Sequence, residues 1–277
     1  MKEFYKRILL IFVISILALL AGCSGSETTN GNQKEKTIKI GVTGGPPEQI
    51  TNIVKKLAKK EGINLEVTTF NDYLTPNKTL ADGEIDLNMF QTIQFLNQYV
   101  KDRKDPIMAI GTTYNSTIGI YSKKYKSIKE IPNGATIGIP NDPVNIGRGL
   151  MVLEEAGLLK LNHGVKQLTV NDIEENPKQI KIKEMDALMI LSTLKSIDAG
   201  VTTNTAAYNM GLNPKKDALH IETRRDYPMV VAARKEDKDN KDYKRIVKLY
   251  HSDEVKKYIQ EKYDKVIILT DNPFTIK

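Results

Sequence analysis

The stretch TIKIGVTGGPPEQITNIVKKLAKK, residues 37–60, decides the fold class. Thr37 to Thr43 alternate apolar and polar side chains, the period of a strand. The alternation stops at Gly44-Gly45-Pro46-Pro47, a turn cluster, and a helix is expected from about Glu48 to Lys60. A second unit of this kind is TIGIPNDPVNIGRGLMVLEEA, residues 136–156. Thr136 to Ile139 read as a strand and Pro143 to Ala156 as a helix. Asn141 or Asp142 can cap that helix, and Pro143 suits its first position. Working outward, further strands are expected at 63–70, 85–89, 106–112, 118–122, 167–170, 180–184, 199–202, 219–222 and 229–233. Helices are expected at 75–80, 91–100, 241–250 and 253–261. Alternation of this kind predicts an α/β fold with mostly parallel sheets.

The chain has 277 residues, 40% hydrophobic and 27% charged, which excludes disorder, collagen-like repeats and a multi-span membrane protein. Its net charge of +7 comes from lysines interleaved with acids along the whole length, so no nucleic-acid partner is expected. One cysteine excludes an intramolecular disulfide and a cysteine-based zinc site. Lys2, Lys6 and Arg7 precede an apolar run from Ile8 to Leu20, too short to span a hydrocarbon core of about 30 Å. The run closes with Leu20-Ala21-Gly22-Cys23, which resembles a bacterial lipobox. Residues 1–22 are then a lipoprotein signal peptide, and Cys23 is the lipidated first residue of the mature chain. Residues 23–36 read as a flexible tether. The expected location is the extracytoplasmic face of the cell membrane, held by lipid.

Chemistry is sparse. There is no P-loop, no dinucleotide fingerprint and no nucleophile elbow. His163, His220 and His251 are isolated, and the pairs Glu154-Glu155 and Glu174-Glu175 read as solvated. No catalytic residue, cofactor or metal is expected, and the chain does not read as an enzyme. One helix start is informative. After Thr136–Ile139, the free N–H groups and positive dipole end suit a carboxylate. Asn145 and Arg148 lie three apart on one face there, and an arginine fork can hold a carboxylate. A surface arginine paired with a glutamate remains the alternative. The Gly44–Pro47 loop is a second helix start after a strand end, and two such loops facing each other would define a cleft.

Several runs together resemble the NlpA family, methionine-binding lipoproteins of bacterial ABC importers. They are IKIGVTGGP (38–46), FNDYLTPNKTLADGEIDLNMFQ (70–91), GIYSKKYKSIKEIPNGATIGIPNDPVNIGRGLMVLEEAGLLKL (119–161), ENPKQIKIKEMDA (175–187), GLNPKKDAL (211–219) and SDEVKKYI (252–259). The resemblance implies a two-lobed periplasmic-binding-protein-like fold of type II, each lobe a mostly parallel sheet flanked by helices. Lobe 1 would comprise 37–115 and 228–277, and lobe 2 residues 116–227. The chain would cross between them near Tyr114–Ile118 and return near Arg225–Met229.

The resemblance also implies a ligand site. Tyr73 stands for the tyrosine of the F-x-D-Y run and Arg148 for the carboxylate arginine, with Asn145 beside it. The F-Q-H-x-P-Y run reads from Phe90 to Phe95, so Thr92 replaces the histidine and Phe95 the tyrosine. Tyr114 keeps an aromatic before the crossover, while Ser116 stands where a second aromatic is common. The I-N-T asparagine falls on Thr203, with Asn204 next to it, and the asparagine of a later run falls on Met229. The carboxylate clamp is retained while several polar contacts are not. The implied function is an importer's solute-binding protein, monomeric, taking methionine, a related amino acid or a short peptide, with a permease and an ATPase as partners. A divergent surface lipoprotein acting in adhesion or macromolecule binding is the alternative left open.

Overall fold

The computed structural model describes residues 36–263 and 266–275. The signal segment, Cys23 and nearly all of the tether lie outside the described residues. In chain order the elements are β1 (Lys36–Thr43), α1 (Pro46–Lys60), β2 (Ile63–Phe70), α2 (Thr75–Ala81), β3 (Leu87–Thr92), α3 (Ile93–Arg103) and β4 (Ile107–Ser116). Then come β5 (Ile118–Tyr121), β6 (Thr136–Pro140), α4 (Pro143–Glu155), β7 (Lys160–Leu161), β8 (Ile173–Glu175), β9 (Lys181–Met185), β10 (Ala199–Thr203) and α5 (Asn204–Asn209). The chain continues through α6 (Pro214–Asp217), β11 (Ala218–Ile221), β12 (Pro228–Arg234), α7 (Lys241–Leu249), α8 (Asp253–Tyr263) and β13 (Ile267–Leu269).

Two larger sheets carry the fold, ordered β13-β4-β12-β3-β1-β2 and β11-β5-β10-β6-β9. Each has its own core. In the first, Ile38, Ile40 and Val42 alternate along β1 onto one buried face, against Ile50, Val54 and Ala58 of α1. Those three recur every four residues, which places them on one helical stripe. Each is sealed from solvent, and a buried Val or Ile contributes roughly 1.5–3 kcal/mol. In the second, Ile137, Ile139 and Val201 pack with Leu150 and Leu153 of α4.

Strand pairing is mixed rather than mostly parallel. β1 runs parallel to β2 and β3, and β6 parallel to β9 and β10. By contrast β12 is antiparallel to both β3 and β4, and β5 to both β10 and β11. The reason is topological: β4 leads out to the second sheet and β12 leads back, so they lie side by side without a helical crossover. The chain passes from sheet to sheet at Thr117 and returns through 222–227.

Other departures are local. Residues 167–170, expected as a strand, form a turn into a 3-10 turn at Val170–Asp172, held by the capping box of Thr169 and Asp172. β3 runs to Thr92, so α3 starts at Ile93 instead of Gln91. The acid pairs are not all free. Glu155 accepts from Thr223 N (3.1 Å) and Arg224 Nε (3.1 Å), tying the return segment to α4. Glu154 accepts from Leu161 N at 2.8 Å.

Candidate functional site

β1, β3, β12 and β4 meet the second sheet at one edge, and Thr43, Thr92, Met229 and Ser116 mark where they do so. These residues line a narrow cleft of about 40 Å³. The opposing wall is Asn145 and Arg148 of α4 with Thr203 and Thr205 at the junction of β10 and α5. Of the two helix starts expected to face each other, that of α4 contributes Asn145 and Arg148, whereas Gly44–Pro47 does not line the cleft and only Thr43, just before it, does.

Arg148 is 2% exposed and Glu222 1%, and the two form a buried ion pair. Nε donates to Glu222 Oε1 at 2.9 Å, and Nη2 donates to Glu222 Oε2 and to the Ser116 carbonyl (2.6 Å). The guanidinium also stacks over Tyr227, 4.1 Å from the ring centroid. One edge of the fork is thus taken by a carboxylate of the chain itself. Nη1 makes no hydrogen bond among the described residues and is what remains for a ligand. The arginine does pair with a glutamate, but not as the surface arginine of the sequence alternative: the pair is buried and its partner lies 74 residues away.

The start of α4 is also occupied. Asp142 is the cap, accepting from Asn145 N (3.0 Å) and Asn145 Nδ2 (2.9 Å). A carboxylate already sits at the positive end of the helix, so that end is not the anion site expected from the sequence. Asn145 is held by the cap with its side chain at the cleft.

Thr92 and Thr203 share one local cause. Each is the last residue of a strand that passes straight into a helix, and each hydroxyl caps it: Thr92 Oγ1 accepts from Phe95 N (3.3 Å), Thr203 Oγ1 from Ala206 N (3.1 Å). Thr203 also meets the Tyr73 hydroxyl at 3.3 Å, a hydrogen bond between the two sheets. Burial pushes the Tyr73 phenol up to about 12, eased by that bond, so it is neutral and protonated at physiological pH. Tyr73, Phe90 and Phe95 form a trio of rings with centroids 6.2–6.3 Å apart. Met229, opposite Thr92 in register, completes an apolar middle.

Two of the residues singled out from the sequence lie elsewhere. Tyr114 is fully buried in the core of the first sheet. Asn204 accepts from the Tyr121 hydroxyl and donates to Thr117 Oγ1, bracing the crossing. Conversely, Thr43, Gln91 and Thr205 line the cleft and were not foreseen, and Ser116, noted in the sequence only as replacing an aromatic, lines it too. Gln91 is fixed by paired amide bonds with Asn77 (2.6 and 2.8 Å). Thr43 Oγ1 is buried with no hydrogen-bond partner among the described residues. The available signal for Thr43 was its place as the last residue of a parallel strand before a turn. Among the described residues no acidic side chain lines the cleft.

The family model for NlpA lipoproteins matches residues 38–269. The D-methionine-binding lipoprotein MetQ of Yersinia pestis is 38% identical over 256 residues, covering 91% of this chain and 93% of the relative. The protein of the same name from Escherichia coli K12 is 40% identical over 248 residues, covering 88% and 89%. A nutrient-binding protein from Burkholderia cenocepacia, solved bound to methionine, superposes with a TM-score of 0.80. It is 40% identical, and the match covers 84% of this chain and 99% of that one.

Proposed function

The chain belongs to the NlpA lipoprotein family, and on that footing we propose that it is the lipid-anchored solute-binding protein of an ABC importer. Its ligand is methionine, a related amino acid or a short peptide, held between the two sheets. The lobes are residues 37–115 with 228–277, and 116–227. The partners are a permease and its ATPase, and the protein works as a monomer outside the membrane. Among the described residues no helix is long and apolar enough to cross a membrane, which fits attachment through Cys23.

The observation that carries this reading is the cleft's division of labour. Arg148 offers Nη1 to a carboxylate, and an apolar middle of Tyr73, Phe90, Phe95 and Met229 offers room for a side chain. Without an acid–base pair in the lining, the arrangement holds a molecule rather than transforming it. The test is calorimetry of the detergent-solubilised protein with L- and D-methionine and a methionine-containing dipeptide. One site per chain is expected, with binding lost in Arg148→Ala. Absence of heat with every amino acid and dipeptide refutes the reading.

A further inference from the structure

We propose that the helical layer of α1, α7 and α8 is a second interaction surface, which rests on an anionic lipid bilayer around the point where the tether enters the fold. Its footing is the lipid anchor at Cys23 in the reading above, and the ligand plays no part in it.

Along the chain the charges are interleaved, but folding sorts them. One face of the first sheet is covered by α1, α7 and α8, whose apolar sides share one core, while α2 and α3 cover the other face. Those three helices hold eleven lysines and arginines against five acids. The rest of the chain from Cys23 onward holds 27 against 28. The whole positive excess of the mature chain therefore lies in one layer. Within it Lys55, Lys56, Lys59, Lys248 and Lys256 are exposed and pair with no acid among the described residues. The helix dipole accounts for Lys59 and Lys248, which stand in last turns. It gives no reason for Lys55 and Lys56, or for Lys256 near the positive end of α8.

The three helices meet where the tether arrives. Arg245 of α7 donates to the carbonyl of Glu61, just past α1 (2.8 Å), and Lys60 pairs with Glu254 of α8 (3.7 Å). Lys36 opens β1 beside them, level with Ile63 of β2, which follows α1 after a two-residue turn. From Cys23 to Lys36 is thirteen residues, and a coil of that composition spans about 20 Å root-mean-square. That is little more than two Debye lengths at physiological salt, about 8 Å each. Each lysine brought to an anionic bilayer favours the docked state about fivefold. A soluble polyanion could meet the same lysines, but the tether roots this layer beside the bilayer that holds Cys23. The cleft lies at the other end of β1, about 23 Å from Lys36 along the strand, and stays clear of that surface.

The experiment reconstitutes the lipidated protein into vesicles of phosphatidylcholine and into vesicles of equal phosphatidylcholine and phosphatidylglycerol. Lysines are then acylated briefly and each site is read by mass spectrometry. On the anionic vesicles, labelling of Lys55, Lys56, Lys59, Lys248 and Lys256 should fall about fivefold or more. Lys123, after β5, and Lys183, on β9, are exposed on the second sheet and should not change. About 1 M salt, with a Debye length of about 3 Å, should abolish the protection. Replacing the five lysines by glutamine should leave ligand binding and vesicle attachment as they are, and neutron reflectivity should then place the protein at one height on both lipids. Equal labelling on the two kinds of vesicle overturns the inference, as does protection that extends equally to Lys123 and Lys183. Protection by soluble polyphosphate but not by anionic vesicles also overturns it and assigns the face to a free polyanion. A protein that floats with neither kind of vesicle fails the anchor reading along with this one, whereas one that floats with both and is labelled equally fails this one alone.

Discussion

Replacing Glu222 by glutamine should lower stability and raise affinity at once, because Glu222 both supports Arg148 and competes for it. The change keeps the side chain's shape and removes one negative charge from a pair in which neither residue is more than 2% exposed. Removing one partner of a buried pair costs about 3–5 kcal/mol, since the other charge is left uncompensated. For a chain of this size each kcal/mol is worth about 2–4 °C, so the melting temperature should fall by about 6–20 °C. The Ser116 carbonyl and the Tyr227 ring stay in place to hold the guanidinium. A ligand carboxylate then meets an arginine whose charge nothing cancels. Affinity for a carboxylate ligand should rise by about tenfold or more, and the ligand-induced gain in melting temperature should grow with it. Thermal unfolding with and without ligand, alongside calorimetry, measures both. A Glu222→Gln protein that melts within about 2 °C of wild type, or binds no more tightly, refutes the view that the two carboxylates contend for one cation.

Two further outcomes are expected. His251 has its pKa lowered from the ordinary 6.5, by burial first, while the bond from Nε2 to the Thr112 carbonyl (2.8 Å) partly offsets it. The unfolded chain then binds the proton more readily, so this contribution is complete above about pH 6.5 and is lost as pH falls through the lower folded value. Denaturant titrations at pH 5 and 7.5 should show a smaller difference in His251→Asn; an unchanged difference assigns the pH dependence to other groups. Gly45 sits at φ 84°, and a Cβ there would stand 2.0 Å from Asn209 Oδ1, the side chain that also donates to the Gly44 carbonyl (3.1 Å). Gly45→Ala should cost of order 1–3 kcal/mol, and adding Asn209→Ala should restore only the steric part. Full recovery in the double variant would show that the backbone angle carries no strain.

Much of the fold was legible because the signals were local. The alternation in 37–43 and the apolar face of 63–70 gave strands within a residue of β1 and β2. The short elements escaped: β13 has three residues, and its place is set by antiparallel pairing with β4, more than 150 residues earlier. The arginine of the site was readable from its helix start. Its partner was not, because Glu222 lies 74 residues away and only the fold brings them together. The departures at Thr92 and Thr203 looked like lost ligand contacts. In the structure they are capping residues, a role the sequence permits wherever a strand meets a helix without a loop.

The ion pair has one more consequence, which concerns timing. Ser116 begins the outgoing passage between the sheets, and its carbonyl accepts from Arg148. Ile118 N, just past that passage, donates to Glu222 Oε2 at 3.2 Å. Glu222 itself begins the returning passage. Arg148 and Glu222 therefore sit on the axle about which the halves would swing. A rotation there would move Arg148 little and carry Thr43, three strands from β4, through a longer arc. A molecule entering an open form would meet the arginine already in place and the rest of the lining only as the halves come together.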